Sequence, residues 1–189
     1  MRITGGKARG ILLDSLEDKN LRPSTDYIRQ AVFSSLGDCV GNARVLDVFA
    51  GTGSYGLEAL SRGAEHATFL EKNAKLQPVL KANATKVCKS AGLIQEVYAI
   101  YMMDALKWTG QDQSFDIIFV DPPYAFFQDQ SLDKFFKDLS RCLRQGPQAR
   151  LVVEHPGRLK NLELDSFSLV KRLGKNKPHQ PCASIYALL

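Results

Sequence analysis

Cysteine and histidine are scarce in this sequence, which has four cysteines and three histidines among 189 residues. No two cysteines form a CxxC pair and the histidines are equally scattered, so the spacing indicates neither a zinc site nor a disulfide framework. We therefore expect no bound metal, and free thiols as in proteins of a reducing compartment. The residues concerned are Cys39, Cys88, Cys142, Cys182, His66, His155 and His179.

Long apolar runs are also missing from the sequence. No stretch approaches the length of a membrane-spanning helix, and the first ten residues, MRITGGKARG, contain no apolar signal core. These absences favour a soluble, cytoplasmic protein, which we expect to be a monomer. With 44% hydrophobic residues, a chain of this length can bury a core without metals or disulfides.

The pattern of apolar residues predicts an α/β fold. Short, nearly continuous apolar runs alternate with amphipathic segments, which is typical of a mostly parallel, doubly wound sheet covered on both faces. Predicted strands are Ala43–Phe49, His66–Glu71, Glu96–Tyr101, Phe115–Val120 and Ala149–His155, and predicted helices are Tyr55–Arg62, Ala74–Ser90 and Leu132–Leu143. Pro78 falls inside the second helix and indicates its true start. The last two predicted strands, Phe167–Leu173 and Ala183–Leu189, have no helix between them, which indicates an antiparallel edge hairpin.

Residues 1–42 precede the first core strand and are predicted to be a small N-terminal extension, which leaves 43–189 as the main domain. Within the extension, Arg2–Leu13 has the pattern of a hairpin that turns at Gly5-Gly6. The segment Arg22–Leu36 predicts a helix, for which Thr25 or Asp26 is the expected N-cap.

A glycine-rich segment, VLDVFAGTGSYG, joins a predicted strand to a predicted helix, and Gly51, Gly53 and Gly56 match the GxGxxG pattern there. Such a loop lets the backbone approach a cofactor closely. A dinucleotide would place its pyrophosphate at the helix N-terminus, whereas S-adenosylmethionine brings an ammonium group and no phosphate. Asp47 beside the loop would repel a pyrophosphate and attract an ammonium group. The sequence therefore favours S-adenosylmethionine, with NAD as the alternative.

Two further acids follow predicted strands. Glu71 ends the second strand, about 20 residues after the loop, where the ribose hydroxyls of either cofactor would lie. A solvated strand-end glutamate is the alternative interpretation. Asp104 follows the third strand and is placed to accept a bond from an adenine amino group, or to cap a helical turn at Ala105–Lys107; the two roles can coexist.

The segment Asp121-Pro122-Pro123-Tyr124 follows a buried strand and therefore lies at the carboxyl edge of the predicted sheet, where ligands bind. An exocyclic amine of a base is a poor nucleophile, because its lone pair is delocalised into the ring. The Asp121 carboxylate and the Pro122 carbonyl would each accept a hydrogen bond from the amino group. These bonds would make the nitrogen lone pair available to a methyl group. Tyr124 would stack on the base. The segment predicts a site that methylates an amino group of a nucleic-acid base. The alternative interpretation is a rigid turn without a catalytic role.

Five segments, in this order, make the chain resemble the RsmD family of bacterial ribosomal RNA methyltransferases: RPSTDYIRQAVFSSL, RVLDVFAGTGSYGLEALSRGA, FLEKN, IIFVDPPY and LVVEH. The resemblance implies a class I, Rossmann-like methyltransferase domain at 43–189 that uses S-adenosylmethionine. It implies methylation of the N2 amino group of a guanine in 16S ribosomal RNA, either naked or in an assembled small-subunit particle.

The resemblance also implies roles for individual residues. Asp121–Tyr124 would hold the base, and Thr25-Asp26 would close over the methionyl end of the cofactor. The cofactor pocket would be lined by Thr25, Asp26, Asp47, Gly51, Gly53, Glu71 and Asp104. The sequence departs from the family at Lys175–Cys182, where the usual tyrosine-glycine pair before the last strand is missing, so the role of this loop in gripping RNA is open.

A net charge of +5 favours anionic partners, nucleic acid above all. Basic residues cluster at both ends of the chain, and if both ends flank the pocket they form a rim for RNA phosphates. Scattered lysines that only aid solubility would be the alternative. The proposed RNA-binding residues are Arg2, Lys7, Arg9, Lys171, Arg172, Lys175 and Lys177.

Four other functions compete with this interpretation. A DNA adenine-N6 methyltransferase also uses such a segment, but 189 residues leave no room for the usual target-recognition domain. A glutamine-N5 protein methyltransferase more often has asparagine at the position of Asp121. An NAD-dependent oxidoreductase leaves the Asp-Pro-Pro-Tyr segment unexplained. A non-catalytic RNA-binding protein with a vestigial pocket is the remaining alternative.

Overall fold

The structure is a computed structural model, and it describes 1–16, 24–108, 114–128, 132–159, 162–175, 177 and 180–189. Seven strands form one sheet in the order β3-β2-β1-β4-β5-β7-β6. Their bounds are β1 Arg44–Asp47, β2 His66–Leu70, β3 Tyr98–Tyr101, β4 Ile117–Val120, β5 Arg150–Pro156, β6 Phe167–Leu173 and β7 Pro181–Leu188.

The sheet is parallel from β3 to β5, while β7 runs antiparallel to both β5 and β6. The predicted doubly wound sheet with an antiparallel C-terminal hairpin is thus confirmed. Since the chain reverses its direction of winding between β1 and β4, the carboxyl ends of these two strands border a crevice, where ligands of such sheets bind.

In the described ranges, four α-helices connect or flank the strands: α1 Ser24–Leu36, α2 Ser54–Ser61, α3 Gln77–Ala91 and α4 Leu132–Cys142. α3 begins at Gln77, one residue before Pro78, so the proline lies in the first turn of this helix and close to its start, as predicted. The expected N-cap of α1 is wrong, because α1 begins at Ser24 and both Thr25 and Asp26 lie inside its first turn. The Asp26 carboxylate instead pairs with Arg29 one turn later, at 2.9 Å.

Both faces of the sheet are buried, which explains the continuous apolar runs of the central strands. On one face, Val45 and Phe119 pack with residues of α1, α2 and α3. On the other, Leu46 and Ile118 pack with α4 and with a group of phenylalanines. Within the described ranges, no helix has the length and apolar character that crossing a membrane requires.

The first sixteen residues pack on the α1–α3 face. An antiparallel bridge joins Arg2 to Leu12, and Ile3 and Leu13 are buried in the same cluster as the helices. The turn of this segment reaches α2, where the Lys7 N–H donates to the Ser61 carbonyl at 2.7 Å. The division of the chain at residue 42 stays a prediction.

Candidate active site at the carboxyl edge of the sheet

The glycine loop has the strand–turn–helix setting that its sequence predicts. It follows β1, and Gly53 caps α2 with a left-handed φ of +89°. A Cβ atom at Gly53 would lie 2.5 Å from Leu80 Cδ1, and one at Gly56 would lie 2.3 Å from Phe69 Cε1. Only glycine therefore permits this turn and the close approach of α2 to β2.

Asp47 lies beneath the loop, at the end of β1, and only 2% of its surface is exposed. Its Oδ2 accepts the Gly56 N–H at 2.9 Å. The pKa of Asp47 is raised from 3.8 to about 7, mainly by burial. The charges of Asp121 and Glu71 contribute to the rise, while the hydrogen bond from Gly56 and the charge of Arg29 lower the pKa. The carboxyl thus orders the loop, and a cation in the crevice would favour its charged form.

Glu71 follows β2 directly and holds the loop from the other side. Its Oε2 accepts the Gly51 N–H at 2.8 Å, and its Oε1 accepts the Asn73 N–H at 2.7 Å. A carboxylate offers about four acceptor positions, so these two bonds leave room for hydroxyl donors of a ligand. The contact with ribose stays a prediction.

Asp104 caps a short 3₁₀ turn at Ala105–Lys107, accepting the Leu106 N–H at 3.1 Å. The Lys72 ammonium lies 3.5 Å from its other oxygen. The capping interpretation is therefore observed, and an additional bond to adenine stays a prediction.

The Asp-Pro-Pro-Tyr segment is held rigidly after β4. Val120 pairs with Val153, so Asp121, the next residue, lies level with Glu154 in the second half of β5. Pro122 is buried, and the Pro123 carbonyl accepts the Phe126 N–H at 2.8 Å, which closes a turn over Tyr124–Gln128. Phe126 anchors this turn in the core, with its ring 5.2 Å from that of Phe135.

The charge of Asp121 acts on the neighbouring groups. It contributes to the raised pKa values of both Asp47 and Tyr55. The structure therefore brings Asp47, Glu71 and Asp121 together around the glycine loop, from three adjacent strands, as the sequence predicts.

A buried pair beside the loop was missed by the sequence reasoning. The Tyr55 hydroxyl donates to Glu154 Oε2 at 2.8 Å, and both side chains are buried. Burial raises the pKa of Tyr55 well above its usual value, and the Glu154 charge adds to this. A glutamate inside the apolar strand LVVEH was the available signal, because a buried carboxylate needs a partner.

The start of α1 is fixed by a buried arginine. Arg29 pairs with Asp26 and with Glu58, at 2.9 and 3.4 Å, and also donates to the Arg2 carbonyl. Its charge lowers the pKa of Asp47, so it acts on the crevice. The backbone of Thr25 lies in the first turn of α1, and its side chain is outside the described residues. A contact of Thr25 or Asp26 with the cofactor stays a prediction.

The predicted basic residues do not form one rim. Lys7 bonds through its backbone to Ser61, and the neighbouring Gly63 carbonyl accepts the Asn42 N–H just before β1. The N-terminal turn, with Lys7 and Arg9, therefore lies at the amino edge of the sheet, opposite the crevice. The idea that both ends flank the pocket is wrong for this turn.

The C-terminal basic residues lie at the carboxyl edge, where β6 ends and β7 begins. Lys171, Lys175 and Lys177 are exposed. The Arg172 guanidinium donates to the carbonyls of Gly157 and Leu159, at 3.3 and 3.0 Å, and so supports the loop. Contact of any of these residues with RNA stays a prediction. Of the divergent loop, Asn176, Pro178 and His179 lie outside the described residues.

Within the part of the chain that the structure describes, no three His, Cys, Asp or Glu side chains are grouped so that they could hold a metal ion. The expectation of no bound metal stays a prediction.

Similarity to a known protein family extends over nearly the whole chain. A family model described as "Conserved hypothetical protein 95" matches residues 1–180. The Ribosomal RNA small subunit methyltransferase D of Haemophilus influenzae is 37% identical over 126 residues, which cover 67% of this chain and 65% of that protein. The protein of the same name from Escherichia coli is also 37% identical over 126 residues, covering 66% of this chain and 60% of its own length. The matched segment thus spans less than two thirds of these relatives.

A solved structure is similar over a longer range. "Putative methyltransferase yhhF" from Escherichia coli superposes with a TM-score of 0.80 at 27% identity, covering 100% of this chain and 97% of that chain.

Proposed function

This chain belongs to the RsmD family, and on that premise we propose that it methylates the N2 amino group of a guanine in small-subunit (16S) ribosomal RNA, with S-adenosylmethionine as the methyl donor. The observation that carries the proposal is the grouping of Asp47, Glu71 and Asp121 around the glycine loop, beside the rigid turn of the Asp-Pro-Pro-Tyr segment.

The charges of the crevice fit the proposed cofactor. The pKa of Asp47 rises to about 7 mainly because the carboxyl group is buried, and repulsion from the charges of Asp121 and Glu71, at the ends of β4 and β2, adds to the rise. A ligand with a sulfonium and an ammonium group would relieve this repulsion, whereas a pyrophosphate would add to it. The crevice therefore favours S-adenosylmethionine over NAD.

Each acid would have its own part in holding the cofactor. Glu71 would accept the ribose hydroxyls with its remaining acceptor positions, and Asp104 would accept the adenine amino group. Asp47 is buried and would act on the methionyl ammonium through its charge and through the loop that it orders. Thr25 and Asp26, in the first turn of α1, would cover the methionyl end. The chemistry supplied by the bound cofactor would be an electrophilic methyl group on a sulfonium centre.

The base would be held by the segment after β4. The Asp121 carboxylate and the Pro122 carbonyl would accept the two amino hydrogens, and Tyr124 would stack on the ring. The Pro123 carbonyl is engaged by Phe126, which favours the Pro122 carbonyl as the second acceptor. Because the bond to Asp121 strengthens as the nitrogen becomes positive, it would stabilise the transition state more than the bound substrate. No strong general base is needed, because the cationic amine formed by methyl transfer is a strong acid and loses its proton to water.

The substrate must present an unpaired or flipped base, since the reacting amine lies inside the crevice. We propose ribosomal RNA as the partner, in naked form or in an assembled small-subunit particle, for a monomeric protein that acts in the cytoplasm. The exposed Lys171, Lys175 and Lys177 at the same edge support an anionic partner.

The proposal is tested by following a labelled methyl group from S-adenosylmethionine. Purified protein is incubated with small-subunit ribosomal RNA, with small-subunit particles and with duplex DNA, and the products are digested to nucleosides. We expect N2-methylguanosine from the RNA or the particles and nothing from the DNA. N6-methyladenine in DNA would instead support a DNA methyltransferase. Cofactor binding without any transfer would support a non-catalytic RNA-binding protein.

A further inference from the structure

A cavity of about 530 Å³ lies between the start of α1 and the loop that joins β6 to β7. Of its lining residues, only Lys175 has been given a role above, as an exposed lysine that would attract RNA. Its described lining consists of Tyr27, Ile28, Gly174, Lys175, Gln180 and Pro181.

The cavity opens at the same edge of the sheet as the Asp-Pro-Pro-Tyr segment. Pro181 pairs with Pro156 at the carboxyl end of β5, and β5 neighbours β4, which Asp121 follows. Two strand spacings separate β4 from β7, so the lateral distance from Asp121 is on the order of 10 Å. A ligand in the cavity would therefore lie next to the crevice and outside it.

The chemistry of the lining points to one kind of ligand. Tyr27 is 70% exposed and lines the cavity, so its ring offers an accessible face on which a flat ligand can stack. Ile28 and Pro181 form a buried apolar wall, and the Lys175 ammonium group is exposed at the margin. None of the six described lining residues is acidic. An aromatic face beside a cation matches a nucleic-acid base and its phosphate.

The loop side of the cavity is held in a fixed shape. The Gly157 N–H donates to the Gln180 carbonyl at 2.9 Å, and the Gln180 N–H donates to the Lys177 carbonyl at 3.1 Å. The Cys182 thiol lies 3.2 Å from the Lys175 carbonyl. A preformed pocket of this kind loses less entropy when it binds a ligand.

We infer that this cavity binds the base of a nucleotide next to the methylated one, stacked on Tyr27, with its phosphate on Lys175. The inference rests on the proposed function and deepens it, because flanking nucleotides determine which sequence an enzyme of this kind accepts. Tyr27 is then a positioning residue for RNA, outside the crevice that would hold the reacting amine.

The first test compares Tyr27→Ala with Tyr27→Phe in single-turnover methylation of small-subunit RNA or particles. We expect Tyr27→Ala to raise the RNA concentration at half-maximal rate by roughly 5- to 150-fold, the usual range for one lost stack. The rate at saturating RNA and the affinity for S-adenosylmethionine should stay unchanged, and Tyr27→Phe should behave like the wild type. Ile94→Ala is the control, because Ile94 is 67% exposed and precedes β3 at the opposite edge.

The second test does not depend on catalysis. Small-subunit RNA that contains 4-thiouridine is bound to the protein and irradiated, and the cross-linked peptides are identified by mass spectrometry. We expect a cross-link to the peptide that contains Tyr27. Wild-type RNA affinity in Tyr27→Ala, or cross-links only elsewhere, would overturn the inference and leave the proposed function standing. If the wild type methylates no RNA, the proposed function fails, and the cross-link still decides whether RNA occupies the cavity.

Discussion

Asp47 is a carboxyl group that folding buries, although its charge is useful only when a cationic ligand is present. Its backbone partner, the Gly56 N–H, offsets part of the cost of burial, and Asp121 and Glu71 add repulsion. The position of Asp47 beside the loop was predictable from sequence. Its burial was not, because it depends on how β4 and α2 close over the end of β1.

Asp47→Asn should therefore stabilise the protein at high pH. The pKa of Asp47 is about 7 in the folded protein, against an ordinary value of 3.8 for the unfolded chain. Between these two pH values, the folded protein keeps a proton on Asp47 that the unfolded chain has lost. The contribution of Asp47 to stability falls as pH rises through this window. Asparagine can still accept the Gly56 N–H and never ionises. The gain in unfolding free energy should be larger at pH 8 than at pH 5 by on the order of 2 kcal/mol.

Denaturant unfolding of both proteins at the two pH values measures this difference. The same variant should bind S-adenosylmethionine more weakly at pH 8, since it lacks the charge that favours the ammonium group. An equal effect on stability at pH 5 and pH 8 would show that Asp47 titrates normally in the folded protein.

Other residues of the site show where sequence reasoning succeeds and where it ends. Glu71, Asp104 and Asp121 were placed correctly because each follows a strand, and parallel strands end at a common edge. Tyr55 and Glu154 are 99 positions apart, so their hydrogen bond depends on the pairing of β5 next to β4. No local pattern encodes that contact.

Among the structural elements, the loop between β6 and β7 depends on one close approach to Gly157. A Cβ atom at Gly157 would lie 2.5 Å from the Lys177 carbonyl and 2.8 Å from the Lys175 carbonyl. These oxygens belong to backbone, so the loop would have to move. The positions of the helices and strands were predictable from the apolar periodicity, and the start of α3 was predictable from its proline. The conformation of the described loop residues was not, since it depends on the hydrogen bond between Gln180 and Gly157, which lie far apart in the chain.

We expect Gly157→Ala to weaken RNA binding and leave cofactor binding unchanged. Overpacking of this kind costs about 1–3 kcal/mol of folding free energy. We expect it to distort the loop and the cavity beside it. Dissociation constants for small-subunit RNA and for S-adenosylmethionine, measured by fluorescence and calorimetry, separate the two effects. Gly41→Ala is the matched control, because a Cβ atom there makes only one ordinary contact, at 3.7 Å. Equal losses of RNA affinity in Gly157→Ala and Gly41→Ala would contradict a special role of this loop.

Across the whole molecule, charge is separated in a way that suits the proposed reaction. The chain carries a net charge of +5, yet three acids surround the glycine loop. The acidic crevice would repel phosphates and attract a cationic cofactor, while the exposed lysines at the end of β6 and in the following loop would attract RNA. Only an extruded base would then enter the crevice.

The sequence predicted the order of helices and strands and the antiparallel hairpin, because these follow from periodicity and connection lengths. It did not predict that the N-terminal turn docks at the far end of α2. The contact of Lys7 with Ser61 spans distant parts of the chain and depends on which helix the N-terminal segment covers.

The most direct test of the account is the single-turnover methylation rate of Asp121→Ala, with RNA and S-adenosylmethionine both saturating. Because Asp121 is proposed to grip the amine most strongly in the transition state, we expect the rate to fall roughly a hundredfold, or about 3 kcal/mol. RNA and cofactor affinities should change little, since other residues hold both ligands. A rate close to that of the wild type would contradict the proposed mechanism, even if the protein proved to be a methyltransferase.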